Sequence, residues 1–89
     1  MSEFTDIIGQ SKLTLVDFYA TWCGPCKMQG PILEDVKNRV GDKANVIKID
    51  VDKNQDLARQ YRVQSIPTLI AFRDGAPVWR GPGLPLSPI

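Results

Sequence analysis

The two cysteines of this chain, Cys23 and Cys26, stand with only a glycine and a proline between them, inside the stretch TWCGPCKMQGP (residues 21–31). That spacing serves three different chemistries. A zinc site needs four ligands, and thiolate sites pair one C-x-x-C with a second pair or with histidines. The chain has no third cysteine and no histidine, so a complete site could form only between chains. A permanent staple across two residues closes almost no loop and adds little stability. A redox couple uses the closeness itself: one thiol attacks a disulfide and its neighbour resolves the mixed disulfide that forms. In a reducing compartment, where permanent disulfides are rare, the redox use is favoured.

Such a couple needs elements that make one sulfur acidic and hold the other nearby. Residues 12–20, KLTLVDFYA, form an apolar, β-branched and aromatic run too short for most helices, and read as a buried strand. From Cys26 onward Met28, Ile32, Leu33, Val36 and Val40 recur at helical spacing, opposite Glu34, Asp35, Lys37, Asn38 and Arg39. Gly41 is a stop signal, and Pro31, inside the helix, is expected to kink it. The cysteines therefore fall between a strand end and a helix start. There, unpaired N–H groups and the positive end of the helix dipole favour a thiolate at Cys23. Pro25 suits a first-turn position. Cys26, shielded one turn further in, suits the resolving role.

The remaining elements continue the pattern. Residues 44–51, ANVIKIDV, read as a second strand, and NQDLARQYRV as a short helix with Leu57, Ala58 and Tyr61 facing inward, Tyr61 as packing. Residues 67–73 form a third strand, Asp74-Gly75 is a two-residue hairpin turn, and residues 77–81 return as a fourth strand whose leading proline suits an edge. Phe4, Ile7 and Ile8 mark a further helix before the first strand, and these three and Met28 are expected in the core. A helix of about four turns between the first two strands suits a right-handed βαβ crossover and a parallel pair, and the hairpin adds antiparallel strands. The fold class is α/β, a mixed central sheet flanked by helices.

Eighty-nine residues, 43% hydrophobic and 24% charged, suit one small globular domain. A net charge of +1, with scattered charges, provides no field for nucleic acid or an anionic membrane. The first ten residues lack a basic region and a long apolar run, so no signal peptide is expected there, and no stretch approaches the ~20 apolar residues of a membrane span. The expected location is cytoplasmic.

Two charged residues sit oddly in strands. Asp17 interrupts the first, and a lone buried carboxylate needs a partner or titrates high. Lys48 is its counterpart in VIKID, and parallel neighbouring strands would let the two meet. Trp22, at a strand-to-helix turn beside the first cysteine, suits an apolar rim for partners.

WCGPCK after VDFYA, with IPT downstream, resembles the thioredoxin family, from about Phe4 to Gly83. The resemblance implies the thioredoxin fold and a reductant of protein disulfides. Cys23 would attack, Cys26 would resolve, Asp17 would accept the Cys26 proton, and Lys48 would moderate it. It also implies a cis bond between Ile66 and Pro67 that faces the cysteines and leaves the backbone of Ile66 free to pair with an extended substrate. Trp22, Gly24, Pro25 and Gly83 would complete the substrate rim. No bound cofactor is implied, because the cysteines carry both electrons. A flavoenzyme reductase using NADPH would recharge them.

The chain departs from the family in two places. No strand precedes the first helix, so the strand holding residues 46–49 is expected at a sheet edge. Pro82, Pro85 and Pro88 forbid the family's closing helix, so the domain is expected to span residues 1–83, with 84–89 an irregular proline-rich tail. Apolar sheet left uncovered in this way favours association, and a homodimer or swapped assembly is expected. The alternative function is a protein-binding module of the same fold with little or no turnover. A disulfide isomerase or oxidant is a second enzymatic alternative.

Overall fold

The computed structural model describes residues 3–82. In chain order it contains α1 (Glu3–Ile8), β1 (Leu13–Tyr19), α2 (Gly24–Val40), a 3-10 turn (Gly41–Lys43), β2 (Ala44–Asp50), α3 (Gln55–Gln60), β3 (Thr68–Arg73) and β4 (Ala76–Gly81). The four strands form one mixed sheet in the order β2-β1-β3-β4. β1 runs parallel to β2 and antiparallel to β3, and β4 returns antiparallel to β3. Among the described residues β2 is an edge, as expected. The chain reverses between β3 and β4 at Asp74 and Gly75, both with positive φ (54° and 84°), a backbone that Gly75 adopts without Cβ strain.

β1 is buried on both faces because helices cover both. Val16 and Phe18 point one way, into a cluster with Phe4 and Ile8 of α1 and Ile70 and Phe72 of β3. Leu57 and Tyr61 pack against that cluster from the α3 side, and the Tyr61 and Phe4 rings meet Phe72 at centroid distances of 5.1 and 5.8 Å. Aromatic pairs tilted this way add about 1 kcal/mol beyond their burial. Asp17, between Val16 and Phe18, must point to the opposite face, towards α2.

α2 begins at Gly24, two residues earlier than its apolar pattern suggests, because Cys23 caps it (φ −90°, ψ 114°) and Pro25 occupies the first turn. It continues through Pro31 and ends at Gly41, whose φ of 57° suits glycine. Its buried line is Cys26, Gln29 and Leu33. Met28, expected in the core, is 73% exposed. At 100° per residue it lies about 140° round the helix from Leu33, off the buried face. Ile7 is only half-buried, whereas Phe4 and Ile8 are buried as expected.

β4 exposes Val78 and Trp79. The Trp79 indole lies over Gly81 so closely that a Cβ there would fall 2.6 Å from Cη2. The expected proline-rich tail lies outside the described residues.

Candidate active site

β1 delivers the chain to the cysteines, and α2 starts between them. Cys23 is the N-cap of α2, and its Sγ accepts the backbone N–H of Cys26 at 3.2 Å. The two residues are disulfide-bonded, with Cα atoms 5.3 Å apart. Both are nearly buried, packed with Ala20, Tyr19, Val51 and Ile66. Among the described residues, no three side chains of metal-ligand type converge on one point.

The rim comes from loops on either side. Trp22 is 69% exposed, and its Nε1 donates to Asp52 Oδ2 at 2.8 Å. Asp50, at the end of β2, fixes that partner by accepting the backbone N–H groups of Asp52 and Lys53 at 2.8 and 3.3 Å. Gly24 and Pro25 are exposed on the first turn of α2. From across the sheet, the carbonyl oxygen of Ile66 comes within 3.9 Å of Cys23 Sγ, and the Ile66–Pro67 bond is cis. The loop leading to it is tied down by Arg80 of β4, whose guanidinium donates to the carbonyls of Tyr61 and Arg62. Trp22, Gly24, Pro25, Ile66 and Pro67 thus surround the cysteine pair, while Gly83 lies outside the described residues.

Asp17 is fully buried beneath α2. Its β2 register partner is Lys48, and its β3 partner is Leu69. Lys48 and Asp17 are aligned as expected but make no ion pair; the exposed Lys48 ammonium instead lies 4.6 Å from the centre of the Tyr19 ring. Gln29 Nε2 donates to Asp17 Oδ1 at 3.4 Å, and Oδ2 is buried without a hydrogen-bond partner. Burial raises the Asp17 pKa to about 6, against the opposing effects of the Lys48 charge and the Gln29 hydrogen bond. Sequence reasoning missed Gln29. Its signal is a polar residue three positions after Cys26, and so on the same helix face. The Asp50–Asp52 support for Trp22 was missed too, because nothing local in the sequence marks it.

With this geometry in place, the sequence model of the thioredoxin family matches residues 1–83. The chain belongs to the thioredoxin family. It is 58% identical over 78 residues to a thioredoxin of Mycolicibacterium smegmatis, spanning 85% of this chain and 70% of that protein. A variant thioredoxin from Halobacterium salinarum superposes with a TM-score of 0.83 at 44% identity, covering 94% of this chain and 73% of that one. A bifunctional thioredoxin reductase/thioredoxin of Mycobacterium leprae is 49% identical over 79 residues, which are 89% of this chain and 17% of that protein. Like other thioredoxins, the chain is a thiol–disulfide oxidoreductase acting on protein disulfides through a redox-active Cys23–Cys26 pair, with no bound cofactor. Among the described residues no helix is long and apolar enough to cross a membrane.

Proposed function

We propose that Cys23 is the attacking sulfur, Cys26 the resolving one and Asp17 the proton acceptor for Cys26. The observation that carries this reading is the Cys26 N–H aimed at Cys23 Sγ at the start of α2. In the reduced protein the same donor meets a thiolate, and a hydrogen bond to a charged acceptor favours the charged form. The Cys23 thiolate attacks one sulfur of the substrate disulfide, forming a mixed disulfide and releasing the first substrate thiolate. Cys26 then gives its proton to Asp17 and attacks Cys23. The Cys23–Cys26 bond forms, the mixed disulfide breaks, and its electron pair leaves on the second substrate thiolate. An Asp17 that titrates near neutrality can take and return that proton. The positive charge of Lys48 keeps its pKa from rising further.

Trp22, Gly24, Pro25 and Pro67 form an apolar rim in this reading, completed by Gly83. The backbone of Ile66 pairs with an extended substrate segment beside Cys23. A flavoenzyme reductase using NADPH recharges the pair, a partnership supported by the M. leprae relative that carries reductase and thioredoxin in one chain. The setting of this cycle is the cytoplasm, where it supplies electrons for thiol homeostasis.

Insulin reduction driven by dithiothreitol tests the assignment. The chain should turn over many insulin disulfides, Cys23→Ser none, and Cys26→Ser should stop at the mixed disulfide. A chain that binds disulfide proteins without turnover would be a docking module instead.

A further inference from the structure

Gln29 has no part in the exchange as described so far. It is a polar side chain on the buried line of α2, one turn after Cys26, 6% exposed, and in contact with a fully buried acid. An apolar residue would fill that space without a polar group to satisfy. We propose that Gln29 is a positioning residue for the exchange: its amide holds Asp17 by Oδ1 and leaves Oδ2 as the oxygen that takes and returns the Cys26 proton.

The inference rests on the proton role proposed for Asp17, and its chemistry follows from the two oxygens. Oδ1 already accepts from Gln29 Nε2, whereas Oδ2 is buried and unpartnered. A proton arriving at the carboxylate goes to the oxygen whose lone pairs are free. The amide carries no charge, so it favours the carboxylate while opposing proton uptake less than a second cation would. Cys26 and Gln29, three residues apart, share one face of α2, so the group that fixes the acid is carried by the same rigid element as the sulfur it serves. During resolution the Cys26 S–H bond breaks, its proton joins Oδ2, and the Cys26 sulfur bonds to Cys23. The substrate thiolate leaves with the electron pair and takes up a proton.

The groups that face Asp17 are few. β2 contributes Lys48, whose charge favours the carboxylate; β3 contributes the apolar Leu69; α2 contributes Gln29. Asp50, further along β2, has its Oδ1 committed to the N–H groups of Asp52 and Lys53.

Two near-isosteric replacements test the role. Gln29→Met keeps volume and helix preference and removes the donor. Gln29→Glu sets a second carboxyl against Asp17, so the pair holds its last proton to higher pH. The readouts are the Asp17 carboxyl titration by carbon NMR and the pH dependence of single-turnover release of a labelled peptide thiol. Gln29→Met should move both midpoints up by roughly one pH unit, and Gln29→Glu should move them further. Unmoved midpoints in both variants, with slow release in Asp17→Asn, overturn the role of Gln29 alone. Parent-like release in Asp17→Asn overturns the proton role of Asp17, and this inference with it.

Discussion

The backbone N–H of Cys26 points at the sulfur of Cys23 across 3.2 Å, so the donor that serves the attacking sulfur belongs to the residue that resolves it. Because the donor is main chain, Cys26→Ser and Cys26→Ala both keep it while removing the second sulfur. Each variant should attack a substrate disulfide within about twofold of the parent rate, since its thiolate is intact. Neither should release the second substrate thiolate. Mass spectrometry should find one substrate chain bound per protein, and multiple turnover by either variant would remove Cys26 from the resolving role.

Asp17 makes stability depend on pH in a definite direction. Its pKa is raised from 3.8 to about 6 in the folded chain, so the native state holds this proton more tightly than the unfolded state. The resulting stabilisation is complete below pH 3.8, declines as pH rises towards 6, and is absent above it. The span of the shift corresponds to on the order of 3 kcal/mol. Asp17→Asn should therefore stabilise the disulfide form at pH 8 by about that much, with the gain gone near pH 3.5. Urea denaturation at the two pH values measures it, and a gain of equal size at both would mean the effect is not ionisation.

Two glycines should respond differently to alanine. A Cβ on Gly81 would meet the tip of the Trp79 indole at 2.6 Å, but that ring is 46% exposed and can swing towards solvent, so Gly81→Ala should cost less than about 1 kcal/mol. Gly30 lies mid-helix in α2 with nothing within 4 Å of the position a Cβ would take. Gly30→Ala should stabilise by about 1 kcal/mol through helix propensity and a less flexible unfolded chain. Thermal unfolding of the two variants decides this, and a destabilised Gly30→Ala would show that the open side of α2 is wrongly described.

Much of this arrangement is legible in the sequence, for identifiable reasons. The helix between the first two strands requires a crossover and hence a parallel pair, and Asp74-Gly75 requires a hairpin, so these two pairings follow from local signals, whereas the antiparallel β1–β3 pairing that joins them spans fifty or more positions and has none. The cysteines announce themselves by spacing, and the Asp17–Lys48 alignment by two charges in apolar strands. The phase of α2 is not legible from apolar residues alone. Met28, Ile32 and Val36 repeat every four residues and drift about 40° per step, so the series starts well off the buried line of Cys26, Gln29 and Leu33 at the exposed Met28 and only approaches that line at the half-buried Ile32 and Val36. A glutamine on that line looks like surface until its partner, twelve positions away in β1, is brought beneath it. The support of Trp22 by Asp52 spans thirty positions and depends on the turn after β2, which no local pattern encodes.

The central claim is that the start of α2 makes Cys23 acidic. The direct measurement is the rate of iodoacetamide alkylation of Cys23 against pH, in the reduced Cys26→Ser variant. The account predicts a midpoint at least about one unit below the 8.5 of a free cysteine. A midpoint at or above the free value would contradict it.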